Sequence, residues 1–291
     1  MNAVDQNIDA SPMFRCSTYA KFIKLEHTIF SLPVVFAGTL LYTRGWPGPA
    51  LAGLILLAAA SGRVMAMGLN RLIDHAIDTQ NPRTRRRELP SQAMNRQEAW
   101  FIVIAAGIVY LASAAAIAPV CAWLSPIPVI FFVVYPYLKR VTPMAHLGLG
   151  LAWSMAPVGG WLAGAKTVSG IGEVFWLWLF SVWWVSGFDV IYGILDQEFD
   201  RKAGLHSLPA KLGAPKALMI AAWMHAAAFW CLVMLWEQQL YSPVAFLWLT
   251  IAGILFVWQH AVAQRRPEFA FFQLNGAMGF VVLALVLAGM R

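Results

Sequence analysis

The sequence predicts an all-α integral membrane bundle of about nine transmembrane helices, with its N-terminus in the cytoplasm. Three observations lead there. The 291 residues are 60% hydrophobic and only 12% charged, far from the balance of a soluble domain. The apolar residues fall in stretches long enough to cross about 30 Å of hydrocarbon at about 1.5 Å per residue. Those stretches lack the alternation of a barrel strand, and an open sheet cannot satisfy its backbone in lipid.

The expected spans, in order, are Tyr19–Tyr42, Pro49–Leu72, Ala99–Ile117, Val120–Leu138, His146–Ala163, Val174–Leu195, Pro215–Trp236, Val244–Ala263 and Phe269–Met290. Residues 1–18 read as a disordered polar tail without a signal-peptide pattern, and residues 19–291 as one nine-helix domain. With the N-terminus inside, seventeen Lys and Arg fall on the cytoplasmic side and Arg44, Lys166 and Arg291 outside. The formal charge of +7 is therefore a topology signal and an attraction to anionic lipid, and calls for no nucleic acid. Of the basic residues only Arg63 remains unassigned to either side, and it lies within a span. Cys16, Cys121 and Cys231 show no metal-binding or disulfide spacing.

Two cytoplasmic loops, Asp74–Glu98 and Asp196–Ala214, are longer and more polar than the rest. Polar loops on a membrane scaffold are where chemistry meets water-soluble reactants. Asn70, Asp74 and Asp78 lead into the first loop at steps of four, which on a helix stacks three oxygen ligands along one face. Asp189, Tyr192, Asp196 and Asp200 form a second stripe at the end of the sixth span. Carboxylates at a bilayer edge are costly unless paired or bound to cations. Oxygen ligands with no His or Cys among them suit Mg²⁺, which takes a few carboxylates, waters and substrate phosphate oxygens. Arg83 and Arg87 follow the first acidic run, Lys139 and Arg140 follow Tyr135-Pro136-Tyr137-Leu138, and Lys202 follows the second run; Arg and Lys side chains both bind phosphate oxygens. Two facing ladders would hold a Mg²⁺-diphosphate between them.

On these residues the chain resembles the UbiA superfamily of intramembrane aromatic prenyltransferases. The NxxxDxxxD pattern is matched by Asn70, Asp74 and Asp78, and continues as Arg83, Thr84, Arg87 and Pro90. The DxxxD pattern is matched by Asp196 and Asp200, with Asp189 and Tyr192 upstream and Lys202, Gly204 and Ser207 downstream. The nine-helix count and Lys139-Arg140-Val141-Thr142 extend the likeness over nearly the whole chain.

The resemblance implies transfer of a polyprenyl group from its diphosphate to an electron-rich aromatic acid. It implies Mg²⁺ held on Asp74, Asp78, Asp196 and Asp200, with Arg83, Arg87, Lys139 and Lys202 as electrostatic partners. Asn70 would orient the metal or a phosphate oxygen, and Tyr192 would contact the diphosphate or steady an allylic cation. Arg63 lies two turns deeper than Asn70 and would pair with the acceptor's carboxylate; a structural ion pair with Glu26 is the alternative.

Within the family, the run from Ile23 to Pro33 and the segment Leu205–Pro209 resemble the quinone-pathway subgroup that prenylates 4-hydroxybenzoate. A dihydroxynaphthoate of menaquinone synthesis is the second acceptor, and a polytopic transporter the reading from another class. The expected partners are polyprenyl diphosphate, an aromatic acid and membrane lipid, with no nucleic acid and no obligate protein partner. The expected location is a bacterial-type cytoplasmic membrane with the site facing the cytoplasm.

Overall fold

A computed structural model describes residues 12–290, apart from the side chains of residues 12–16 and 25–30. All regular structure in that range is helical, as the composition requires. The helices are α1 Pro12–Ile23, α2 Leu25–Thr43, α3 Pro49–Ile73, α4 His75–Gln80, α5 Arg96–Ile117, α6 Pro119–Leu124 and α7 Pro126–Leu138. They continue as α8 Ala145–Ala165, α9 Phe175–Gly193, α10 Gln197–Lys202, α11 Leu208–Leu212, α12 Ala214–Gln239, α13 Pro243–Ala263 and α14 Pro267–Gly289. Half of the helices of twelve or more residues begin on proline, whose missing N–H is lost at no cost in a first turn.

Among the described residues, seven segments are long and apolar enough to cross a membrane. The other two expected spans also contain helices. The first is split at Lys24, whose φ of 52° lies in the left-handed region and ends α1. The fifth is α8, whose glycines, tryptophans, serine and proline dilute its hydropathy. The fourth span is broken at Ser125-Pro126 into α6 and α7. The sixth is an α-helix only to Gly193 and then tightens into a 3₁₀ turn, Ile194–Asp196, before α10. The tail expected over residues 1–18 lies outside the described residues up to position 11, and from Pro12 the backbone is helical.

Packing follows small residues. α2 and α8 cross so closely that a Cβ on Gly38 would sit 2.0 Å from the Pro157 carbonyl oxygen, and one on Gly160 2.0 Å from that of Val35. Thr39 Oγ1 donates to the Gly160 carbonyl across the same crossing at 2.9 Å. Small residues permit the backbone approach on which helix association in lipid depends. α8 also packs on α7 and α9, α9 on α12, and α14 on α13 and α2, while α3 lies between α5 and α7. Trp161, Phe180 and Trp184 fill the centre. The outer surface is apolar instead of charged: Phe101, Trp123, Trp223 and Val257 are all more than 70% exposed, as a lipid-facing wall requires. The helices enclose a polar cavity lined from α2, α3, α4, α7, α8, α9, α10 and α14.

Candidate active site

The first acidic run survives a kink. α3 ends at Ile73, and Asp74 leaves helical geometry with ψ of 2°. Yet Asp74 N–H donates to Asn70 O at 2.9 Å and Asp78 N–H to Asp74 O at 2.8 Å, so both steps of four remain closed by backbone bonds. Asn70 Nδ2 also reaches Asp74 Oδ2 at 3.2 Å. The second run is less regular than a single helix face, because the 3₁₀ turn puts Asp189 and Tyr192 on α9, Asp196 in the turn and Asp200 on α10.

The loop after α4 brings the two runs together. Leu89 and Met94 are buried, and Arg71 Nη1 holds Glu88 at 3.0 Å, which pins the loop over the bundle. Thr84 Oγ1 donates to the Asp78 carbonyl at 3.1 Å. From that frame Arg83 reaches across: its Nε donates to Asp196 Oδ1 at 2.8 Å, its Nη2 to Asp196 Oδ2, and its Nη1 to the Tyr192 hydroxyl at 2.8 Å. Asn81 Nδ2 adds a fourth bond to the pair at 2.8 Å from Asp196 Oδ1. Arg87 Nη1 straddles the Asp78 carboxylate at 3.1 and 2.9 Å. Lys139 Nζ lies 2.6 Å from Asp74 Oδ2.

These contacts set the electrostatics. Burial pushes the Asp74 carboxyl above the usual carboxylate range, and Lys139 works against that rise. Burial disfavours the Arg83 guanidinium, but its bonds to Asp196 outweigh burial and hold its pKa above the ordinary arginine value. Asp74 Oδ1 is buried without a hydrogen-bond partner, with the Arg140 guanidinium 3.6 Å away.

The cavity encloses about 310 Å³. Asn70, Asp74, Asp78, Arg63, Arg83, Arg87, Lys139, Asp189, Tyr192, Asp196 and Asp200 all line it; Lys202 is exposed and does not. Among the described residues no three acidic, His or Cys side chains cluster closely enough to form a metal site by themselves. A few carboxylates completed by phosphate oxygens and water are what Mg²⁺ needs, and a buried carboxylate oxygen without a donor fits that role.

Arg63 sits deeper in the wall. Its Nε is buried with no hydrogen-bond partner, and it makes no ion pair among the described residues; the side chain of Glu26 lies outside them. Behind it an apolar chamber of about 440 Å³ opens between α3, α5, α7 and α8, sharing Ser31, Arg63 and Trp153 with the polar cavity.

Sequence reasoning missed several lining residues. Asn81 follows the first run directly, and its place before Pro82 was the available signal. His146, bonded to Asp189 through Nδ1 at 2.7 Å, lies seven residues past Lys139 and carried no pattern. Phe271 stacks on Tyr192 with centroids 4.1 Å apart, brought there from α14 by the fold alone.

A polytopic helical protein whose polar chamber sets acids against bases at one end of the bundle is a membrane protein built to handle a charged ligand beside lipid. Comparison with known proteins makes this specific. Residues 31–287 match the model of the UbiA prenyltransferase family. A 4-hydroxybenzoate solanesyltransferase of Synechocystis is 31% identical over 271 residues, 90% of each chain. A 4-hydroxybenzoate octaprenyltransferase of Shewanella denitrificans is 26% identical over 77% of this chain and 76% of its own. The apo structure of a UbiA homologue from Aeropyrum pernix is 33% identical and superposes with a TM-score of 0.84, covering 91% of this chain and 98% of that one. A homologue from Archaeoglobus fulgidus, solved with GPP and Mg²⁺, shares the fold at 19% identity and a TM-score of 0.72, over 93% and 99% of the chains. The chain belongs to the UbiA prenyltransferase family. It is a multi-pass membrane enzyme that transfers prenyl groups to an aromatic acceptor.

Proposed function

We propose that this protein transfers a polyprenyl group from polyprenyl diphosphate to 4-hydroxybenzoate in quinone synthesis, at the cytoplasmic face of the membrane. The carrying observation is Arg63: a buried guanidinium nitrogen without a partner, in the wall of a cavity whose other end gathers Asp74, Asp78, Asp196 and Asp200 against Arg83, Arg87 and Lys139. An unpaired buried cation is expensive, and an aromatic carboxylate is the ligand that removes the expense. Relatives named as 4-hydroxybenzoate prenyltransferases support that acceptor.

Asp74, Asp78, Asp196 and Asp200 would hold Mg²⁺, which when bound supplies Lewis-acid stabilisation of the diphosphate leaving group. The remaining roles belong to the chain itself. Arg83, Arg87 and Lys139 exchange their aspartate partners for diphosphate oxygens and stabilise the charge that develops as the allylic C–O bond breaks. Asn70 orients Asp74 through its amide. Tyr192, held by Arg83 and stacked on Phe271, presents aromatic surface beside the reacting carbon. Asp189 offers a carboxylate to the acceptor, and the apolar chamber behind Arg63 supplies water-poor volume.

The test is incubation of the full-length protein in nanodiscs with geranyl diphosphate, Mg²⁺ and either 4-hydroxybenzoate or 1,4-dihydroxy-2-naphthoate, with products identified by mass. Prenylated 4-hydroxybenzoate as the main product supports the proposal. Product from the naphthoate alone reassigns the acceptor, and solute uptake without any aromatic product refutes the enzyme reading.

A further inference from the structure

Both ring nitrogens of His146 have partners that fix their roles. The Leu208 backbone N–H, which can only donate, points at Nε2 from 3.3 Å, so Nε2 offers its lone pair. Nδ1 therefore carries the ring hydrogen and donates to Asp189 Oδ2 at 2.7 Å. The arrangement is rigid. His146 on α8 is only 5% exposed, and Leu208 and Pro209 beside it are buried. Gly193, one turn beyond Asp189, leaves the ring its space: a Cβ there would lie 3.2 Å from His146 Cε1.

Asp189 is in a different state from the three cavity aspartates that carry a basic partner. Asp74, Asp78 and Asp196 are each engaged by Lys or Arg, whereas Asp189 is bonded to a neutral ring N–H and keeps 24% of its side chain exposed. Among the described residues it makes no other hydrogen bond, so Oδ1 stays available to a ligand. Arg63, Tyr135 and Asp189 all line the same polar cavity. A ligand spanning them meets a cation at one end and a hydrogen-bond acceptor at the other.

We infer that His146 is a positioning residue: its Nδ1–H turns Asp189 towards the cavity as an acceptor-only carboxylate, which takes the hydroxyl hydrogen bond of an aromatic acid whose carboxylate pairs with Arg63. The inference rests on the aromatic-acceptor reading above. It makes His146 a determinant of acceptor recognition without contact with the acceptor.

Three substitutions separate positioning from bulk. In His146→Gln the side-chain carbonyl accepts from Leu208 N–H while the amide donates to Asp189, so both bonds survive. In His146→Glu the carboxylate accepts from Leu208 but has no hydrogen for Asp189. In His146→Leu neither bond is made. The full-length enzyme is assayed with geranyl diphosphate, Mg²⁺ and 4-hydroxybenzoate or 1,4-dihydroxy-2-naphthoate.

His146→Gln is expected to stay within about 3-fold of wild type, while His146→Glu and His146→Leu lose about 10- to 100-fold in kcat/KM for the acceptor, the scale of one hydrogen bond to a charged group. The KM for geranyl diphosphate stays within about 2-fold in all three, because the groups that face the diphosphate are untouched. A glutamine variant as impaired as the leucine variant, a leucine variant as active as wild type, or a loss shared equally by both substrates overturns the positioning role alone. Wild-type enzyme that prenylates neither aromatic acid overturns the parent reading, and this inference with it.

Discussion

Replacing Arg63 with Met should move stability and activity in opposite directions. Met keeps a long unbranched side chain at a site packed between two cavities, so little volume is lost. On the stability side, the substitution removes a buried Nε that has no partner, and an unsatisfied buried donor costs about 1–3 kcal/mol. Part of that gain is offset by lost packing of the guanidinium, leaving a net stabilisation of about 1 kcal/mol, or about 2–4 °C in Tm. On the activity side, a charged hydrogen bond to the acceptor's carboxylate contributes about 1.5–3 kcal/mol, so kcat/KM for the acceptor falls about 10- to 150-fold. The KM for prenyl diphosphate is unchanged, since Arg83, Arg87 and Lys139 remain. Thermal unfolding of the substrate-free protein in detergent reads the first effect, and steady-state kinetics with each substrate varied in turn reads the second. A variant that melts earlier and binds acceptor as before refutes the reasoning, and makes Arg63 a structural cation.

Other outcomes follow from the same geometry. Arg83→Leu breaks the bonds to Asp196 and Tyr192 and removes a leaving-group donor; kcat falls about 10²- to 10³-fold while acceptor KM holds, read by initial rates. Lys202→Ala stays within about 2-fold of wild type by the same assay, because that side chain is exposed and off the cavity wall, where a lone surface charge contributes little. Gly160→Leu lowers the yield of folded protein in detergent-resistance or size-exclusion assays, because its Cβ would meet the Val35 carbonyl oxygen at 2.0 Å across the α2–α8 crossing.

The sequence made the membrane bundle and both acidic runs legible because each is written in local pattern: apolar length for the spans, steps of three and four for the aspartates. Breaks inside those spans were not legible. Lys24 adopts a positive φ with no glycine to announce it, and the tightening at Ile194–Asp196 follows Gly193 without a proline. Asn70, Asp74, Asp78 and Arg63 could be found because they share one helix and its extension. His146 escaped notice, since its meaning lies in Asp189 and Leu208, 43 and 62 positions away. Lys202 was drawn in by its nearness in sequence to Asp200, and the short helix α10 turns it to solvent. Contacts between elements distant in the chain are decided by packing, which periodicity does not encode.

The pairing of Arg83 with Asp196, Arg87 with Asp78 and Lys139 with Asp74 makes the chamber wall its own counterion. Opening one of these pairs for a divalent cation alone strands a guanidinium or an ammonium; opening it for a diphosphate alone strands a carboxylate. A divalent cation and a diphosphate arriving together would give both sides of an opened pair a new partner. On the proposed function the two ligands would thereby be thermodynamically linked, each raising the affinity for the other by an equal factor. Such a wall would favour a cation–diphosphate complex over either ion alone, a selectivity that belongs to no single residue.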